Sequence, residues 1–362
     1  MKTNICRPLT TLLLSGILVF AGAPALQGQG GSVADQDDWE VPRTPDGRPD
    51  LQGNWTNATV TPFERPAGQG PTLSWEEVAQ IEQRAELQAV AATLPSDPNR
   101  PPPPAGGIGP QTGAAGGTGG YNSVYIDRGD RVAVVRGEPR TSLVTNPPNG
   151  RVPSLTPEAQ AWRAERQQFN RQFGSYDNPE NRPIGERCIM SFGSNAGPPM
   201  LPNGFYNNNY TIVQTADHVV IMTEMIHDAR IIRIGDGPRL PDHVRPWMGD
   251  SWGHWDGDTL VIETTNFHSD QLFRGNPSDN LRVIERLTRV DEETILYEFT
   301  VDDPSVYTET WGGEIPFLSM GDELLYEYAC HEGNYALFNI LSGARYEEQQ
   351  AAEAAGSNLP EE

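Results

Sequence analysis

Lysine is almost missing from this sequence. The only one is Lys2, among 26 Lys+Arg in all, so arginine supplies nearly every strong base. A mature chain without lysine has no Schiff-base chemistry, no pyridoxal phosphate anchor and no phosphate-loop lysine. Positive charge is scarce overall: 49 Asp+Glu leave a formal net charge of −23. That sign excludes nucleic acid and anionic membrane surfaces, which basic patches recruit. Cysteine occurs only as Cys6, Cys188 and Cys330, never as Cys-x-x-Cys, which argues against a structural zinc site. After residue 25 no run reaches the roughly 18 apolar residues of a membrane span. No nucleophile elbow is expected, and the His-Glu-x-x-His and phosphate-loop patterns are absent.

What is present reads as a loop-rich globular chain. Gly (37) and Pro (32) are frequent, yet 36% of the residues are hydrophobic, enough to bury a core. Residues 1–25 have the make-up of a secretory leader. Lys2 and Arg7 are its basic start, Leu12 to Ala21 its short apolar stretch, and Ala23-Pro24-Ala25 its small-x-small cleavage site; the alternative is an uncleaved anchor. Cleavage makes the protein secreted or periplasmic, with no stable membrane span. It removes Cys6 and two positive charges. Cys188 and Cys330 are then expected to pair in an oxidising compartment, the alternatives being free buried thiols or metal ligands.

Residues 26–94 read as an extended arm followed by a helix, which the capping box Ser74-Trp75-Glu76-Glu77 opens and which runs to about Ala92. Residues 95–120 are a Pro/Gly-rich linker or insert. Residues 121–362 form the main domain. Tyr121–Ile126 and Arg131–Val135 suit short strands, and Thr156-Pro157 starts a helix ending near Gly174. From Asn207 the apolar period becomes two, which predicts strands at Tyr210–Thr215, Val219–Ile226 and Arg230–Ile234. Two hairpins follow, one turning at Asp256-Gly257-Asp258, the other at Asp291-Glu292-Glu293. Leu324–Cys330 reads as a further strand, and Asn334 as the cap of a terminal helix. The fold expected is mainly β: an antiparallel meander, barrel-like in the lipocalin or calycin manner, with peripheral helices. A β-sandwich is the runner-up.

Several stretches resemble one family of proteins. They are Thr44-Pro-Asp-Gly-Arg-Pro-Asp-Leu51, Asn207-Asn-Asn-Tyr210, Met225-Ile-His-Asp-Ala-Arg230, Gly253-His-Trp-Asp-Gly-Asp-Thr-Leu260 and Cys330-His-Glu-Gly-Asn-Tyr335. The family is a set of secreted bacterial proteins, common in soil and marine bacteria, without a general functional assignment. The resemblance covers nearly the whole mature chain. It implies a secreted bacterial origin and supplies no mechanism.

Without lysine, acid–base work falls to histidines or perturbed carboxylates. Glu224, Glu263, Glu285, Glu298 and Glu327 each interrupt an apolar row in an expected strand. Either they line a solvated outer face with cross-strand arginines, or they point into a polar barrel interior. His227 and Arg230 flank a strand end, where they suit an acid–base group and an anion clamp. His254 shares a strand face with Trp252, beside Trp255, and such aromatic faces suit sugar or aromatic ligands. His331 follows Cys330. Asn208 and Tyr210 could form a binding rim or a turn. A divalent metal at His254 with Asp256 or Asp258 is a minor alternative; otherwise no cofactor is implied.

These observations favour a secreted enzyme acting by acid–base chemistry, a lyase, hydratase, isomerase or hydrolase, on a small organic substrate such as a sugar or aromatic. His227 and His254 would be the acid/base, Arg230 the clamp and Glu263 the partner, with Asn208, Tyr210, Trp252, Trp255, Glu224 and His331 lining the site. The alternatives are a lipocalin-like binding protein for a small-molecule ligand and an envelope scaffold.

Overall fold

Strict alternation builds the walls of the molecule. In β10 (Arg282–Arg289) the inward residues Val283, Glu285 and Leu287 are fully buried, while Arg282, Ile284 and Arg286 face outward. The same rhythm runs through β11 (Thr294–Asp302), where Ile295, Tyr297, Phe299 and Val301 point inward. These assignments come from a computed structural model that describes residues 39–93, 126–191 and 195–356. The chain divides into two units, Met1–Glu40 and Val41–Glu362, and the elements below belong to the second. The expected leader, the 95–120 insert and all but the last residue of the expected strand at 121–126 lie outside the described residues.

The other strands are β1 (Gly53–Thr56), β2 (Val134–Val135), β3 (Glu138–Pro139), β4 (Val144–Asn146), β5 (Asn209–Gln214), β6 (His218–Thr223), β7 (Ala229–Ile234), β8 (Asp250–Asp256), β9 (Thr259–Thr265) and β12 (Trp311–Ser319). Nine of the strands form a closed mixed barrel in the order β1-β5-β6-β7-β8-β9-β10-β11-β12. It shuts where β1 pairs with both β5 and β12: Trp55 lies opposite Tyr210 on one side and Ser319 on the other. The expected meander is broken at one place. β7 and β8 are parallel, with Arg233 opposite Trp252 and Ile234 opposite Gly253, because residues 235–249 carry the chain back along the wall. β4 adds to the outside of β12 through a bulge, and β2 and β3 form a separate small ribbon.

Side chains fill the barrel, unlike the hollow calyx that a lipocalin-like reading implies. Phe317 stacks between Tyr210 and Tyr297 at centroid distances of 5.1 and 5.0 Å. Trp55, Ile212, Ile232, Ile262 and Ile315 pack in the same core. Each large apolar side chain buried this way contributes about 1.5–3 kcal/mol. Gly313 is required by close approach: a Cβ there would meet the Leu143 carbonyl oxygen at 2.1 Å, where β4 crosses β12.

Among the described residues, three α-helices accompany the barrel. In α1 (Trp75–Thr93) the expected capping box forms, with Ser74 N–H donating to Glu77 Oε2 and Glu77 N–H to Ser74 Oγ. In α2 (Pro157–Gln172) Thr156 Oγ1 accepts from Ala159 N–H ahead of the Pro157 start. α3 (Ala336–Ala354) follows the Asn334 turn and has no buried residue. The expected strand Leu324–Cys330 is not one: the segment belongs to no sheet of the described residues.

Candidate functional site

Two regions concentrate unusual chemistry: one sealed inside the barrel, one open beside it. Inside, Arg230 on β7 and Glu285 on β10 form a bidentate ion pair, Nη1 to Oε2 at 2.6 Å and Nη2 to Oε1 at 2.9 Å. The Tyr297 hydroxyl donates to Glu285 Oε1 at 2.9 Å and accepts from Met200 N–H at 2.8 Å. Nearby, the Tyr210 hydroxyl donates to the Asn195 carbonyl and accepts from the Asn57 amide. Burial works against the Arg230 charge, but the attraction and hydrogen bonds of Glu285 outweigh it and hold the guanidinium pKa above its ordinary value. Burial, reinforced by the Glu285 charge, pushes the Tyr297 phenol well up. Burial likewise raises Tyr210. Arg230 is 3% exposed and Glu285 0%, so this group cannot receive a ligand without opening the barrel. Arg230 is therefore no clamp at a mouth, and Tyr210 no binding rim.

The other expected site residues are dispersed. His227 precedes β7, whereas His254 lies past the last pair joining β7 to β8, so the length of β7, about 20 Å, separates them. His254 is exposed on the outer face of β8. Trp252 is on that face too, with the Arg233 guanidinium 4.2 Å from its ring centroid, while Trp255 packs against the core. Glu263 faces outward and pairs with Arg239 at 2.7 Å and with Arg282. Glu298 also faces outward, paired with Arg136. Asn208 is buried and staples loops: its Oδ1 accepts from Asn203 N–H and its Nδ2 donates to the Asp127 carbonyl. His331 is exposed on the segment after Cys330. Asp256 and Asp258 are engaged by Arg286 and Arg43, and among the described residues no group of His, Cys, Asp or Glu is arranged to hold a metal.

Against the expectation that no nucleophile elbow is present, Gly249-Asp250-Ser251-Trp252-Gly253 has its Gly-x-Ser-x-Gly spacing. It lies within and just before β8 rather than in a strand-to-helix turn. Ser251 is buried, with its hydroxyl 2.8 Å from Thr264 Oγ1. It is a core hydroxyl, not a nucleophile.

The open region is a groove of about 1480 Å³. One wall is the barrel side where β1 ends at Thr56, β5 begins at Asn209 and β6 gives way to Glu224. The other is an arm, residues 320–337, that leaves β12 and runs across this side. Several contacts pin the arm. Met320 N–H donates to the Asn54 carbonyl, and Asn54 Nδ2 donates to the Glu323 carbonyl. Tyr326 N–H donates to Glu224 Oε1 at 3.1 Å, and His227 Nδ1 lies 3.0 Å from the Tyr328 carbonyl, a bond that needs the proton on Nδ1. The expected Cys188–Cys330 disulfide is formed and fixes the arm's far end. Glu224 is 3% exposed and its second oxygen accepts from Asn209 Nδ2 at 2.7 Å. It is the expected site residue that the groove retains.

Two features mark the groove. Leu324, Tyr326 and Tyr335 on the arm are 76, 84 and 73% exposed, although they are large and apolar or aromatic. The backbone around the groove is also strained. Asn207, Ile226 and His227 have φ of 56, 67 and 51°, and Cys188 has 54°. A β-branched residue such as Ile226 rarely adopts this region, and strain of this sort clusters at ligand clamps and active sites. Burial raises the pKa of Asp228 beside them, partly offset by the charge of His227. The sequence reading missed the arm because Leu324-Leu-Tyr-Glu-Tyr-Ala-Cys330 has the composition of a strand; the signal within reach was its place just before a cysteine expected to be tied down.

The fold and groove define a class: a closed mixed β-barrel with a sealed polar centre and a disulfide-held external arm. Comparison of the chain with protein-family models, curated proteins and solved structures finds no match.

Proposed function

We propose that this is a binding protein whose ligand lies in the groove between the arm and the barrel wall. One observation carries the reading: Leu324, Tyr326 and Tyr335 stand exposed on a tethered arm that bounds a groove of about 1480 Å³. Exposed clustered apolar side chains mark interaction surfaces, since leaving them in water forfeits burial energy. The disulfide and the polar contacts hold the arm in place before any ligand arrives, which lowers the ordering cost of binding. The bonded cysteines, with the leader-like N-terminus, support placing the protein in the periplasm or outside the cell.

An acid–base enzyme is the second reading. Its support is Glu224, a buried carboxylate in the groove wall next to the strained Ile226–His227 pair. His227 touches the arm, whereas His254, Glu263 and Arg230 lie elsewhere.

The test uses a neutral fluorescent probe. Nile red brightens and shifts to the blue when it enters an apolar site. Wild type should give a saturable response, and the Leu324→Ala/Tyr326→Ala/Tyr335→Ala variant should lose most of it. Equal responses in the two proteins, or none in wild type, would contradict the binding reading.

A further inference from the structure

We propose that the groove docks a basic segment of a partner polypeptide, an extended stretch bearing arginine or lysine side chains. The proposal rests on the binding reading above and adds the sign and kind of the ligand. The argument is charge complementarity at a surface already marked by exposed aromatics. Six carboxylates line the groove, Asp127, Glu186, Glu224, Glu323, Glu327 and Glu332, and among the described lining residues there is no Arg, Lys or His. On the barrel strands and at the β8–β9 turn the acids meet arginine. Glu263, Glu285, Glu298, Glu314, Asp250, Asp256 and Asp258 all have an arginine partner. In the groove, Arg182 neutralises Glu186, and Glu224 is held by hydrogen bonds. Among the described residues, Glu323, Glu327 and Glu332 of the arm have no ion-pair partner. Three like charges on one tethered segment repel one another, and a cation supplied from outside removes that repulsion.

The aromatic groups suit the same ligand. Tyr206, Tyr326, Tyr328 and Tyr335 line the groove beside the carboxylates. Tyrosine faces attract guanidinium and ammonium groups, and arginine stacks on them as well. The dimensions favour a chain over a compact molecule. Sites for small ligands are enclosed and hold about 300–1,000 Å³. This groove is larger, and its rim residues Leu324, Tyr326 and Tyr335 stand mostly in solvent, where only a partner that lies along the arm can cover them.

Fluorescence anisotropy with labelled peptides of about ten residues tests the proposal; alternate positions of an extended chain face the wall. The probes alternate glycine with arginine, glutamine or glutamate. Wild type should bind the arginine peptide, more weakly as salt rises, and bind the glutamine peptide about tenfold less well or worse. Tyr326→Ala/Tyr335→Ala should weaken the arginine peptide about tenfold. Glu323→Gln/Glu327→Gln/Glu332→Gln should do the same. Glu76→Gln/Glu86→Gln/Glu165→Gln, which changes net charge equally on α1 and α2, should change binding by less than about twofold. If the two triple variants weaken binding equally, the attraction is diffuse and the proposal fails. If the glutamine peptide binds as well as the arginine peptide, the groove binds chains without regard to charge; the cationic assignment then fails while the binding reading stands. If no peptide binds but Nile red does, the partner proposal alone fails. If neither binds, both fail. Matching thermal melts show that each variant is folded.

Discussion

In the barrel, Glu285, Glu263, Glu298 and Glu314 each meet an arginine; on the arm, Glu323, Glu327 and Glu332 meet none among the described residues. Apolar groups divide along the same line. Tyr210, Tyr297 and Phe317 are fully buried in the barrel, while Tyr326 and Tyr335 stand in solvent on the arm. The barrel pairs these acids from within and the arm does not. A chain with so few strong bases distributes them unevenly, and the side left without them faces the groove. Stability is therefore expected to reside in the first region and recognition in the second.

The sharpest way to break the comparison is to strip the barrel of its central pair. Glu285→Ala leaves Arg230 charged and buried without its partner, and should cost about 3–5 kcal/mol in urea unfolding. Arg230→Met/Glu285→Leu should recover most of that loss, because no charge then remains in the core. Next is the tether. Cys188→Ser/Cys330→Ser should cost about 2–4 kcal/mol of global stability. Its more telling effect is local: hydrogen exchange of residues 320–337 should accelerate in the native state while β10 and β11 stay protected, and Nile red binding should fall.

Smaller effects sharpen the contrast in pairing. Glu314 bridges Arg136 at 2.6 Å and Arg140 at 3.0 Å, so Glu314→Gln should destabilise by about 1 kcal/mol. Asp228 gives a pH signature. Its folded pKa is raised by burial, so the folded state keeps a proton that the unfolded state gives up. That contribution is present below the ordinary carboxylate range and is lost as pH rises through the raised pKa. Asp228→Asn should remove this slope, making the variant relatively more stable at neutral pH than in acid, as read from urea midpoints across pH. Last, Glu327→Gln should leave stability within about 0.5 kcal/mol, since the residue has no ion pair to lose.

Local signals carried much of the fold. The Asp256-Gly257 turn, the 291–293 turn, the Ser74 capping box and Thr156-Pro157 each encode their element within a few residues, and each formed as expected. β12 did not announce itself, because Gly312-Gly313 and Pro316 punctuate it; they are tolerated by close backbone crossing with β4 and β11, a long-range circumstance. β1 is four residues long, and its role as the closing strand depends on pairing with Tyr210 and Ser319, far off in sequence. For the candidate site, residue type was legible and direction was not. The alternation showed that acids interrupted apolar rows, but only register decides that Glu285 turns in to Arg230 while Glu263 turns out to Arg239 and Arg282. In a simple meander His227 and His254 would lie near one another; the parallel β7–β8 arrangement moves them apart.

The central claim is the place of the ligand: outside a sealed barrel, under the arm. Hydrogen exchange with and without bound Nile red tests it most directly. New protection should appear in peptides covering residues 206–209, 224–228 and 320–337, with none in the β8–β9 hairpin that carries His254. Protection centred on that hairpin, or on the inward residues of β7 and β10, would contradict the account.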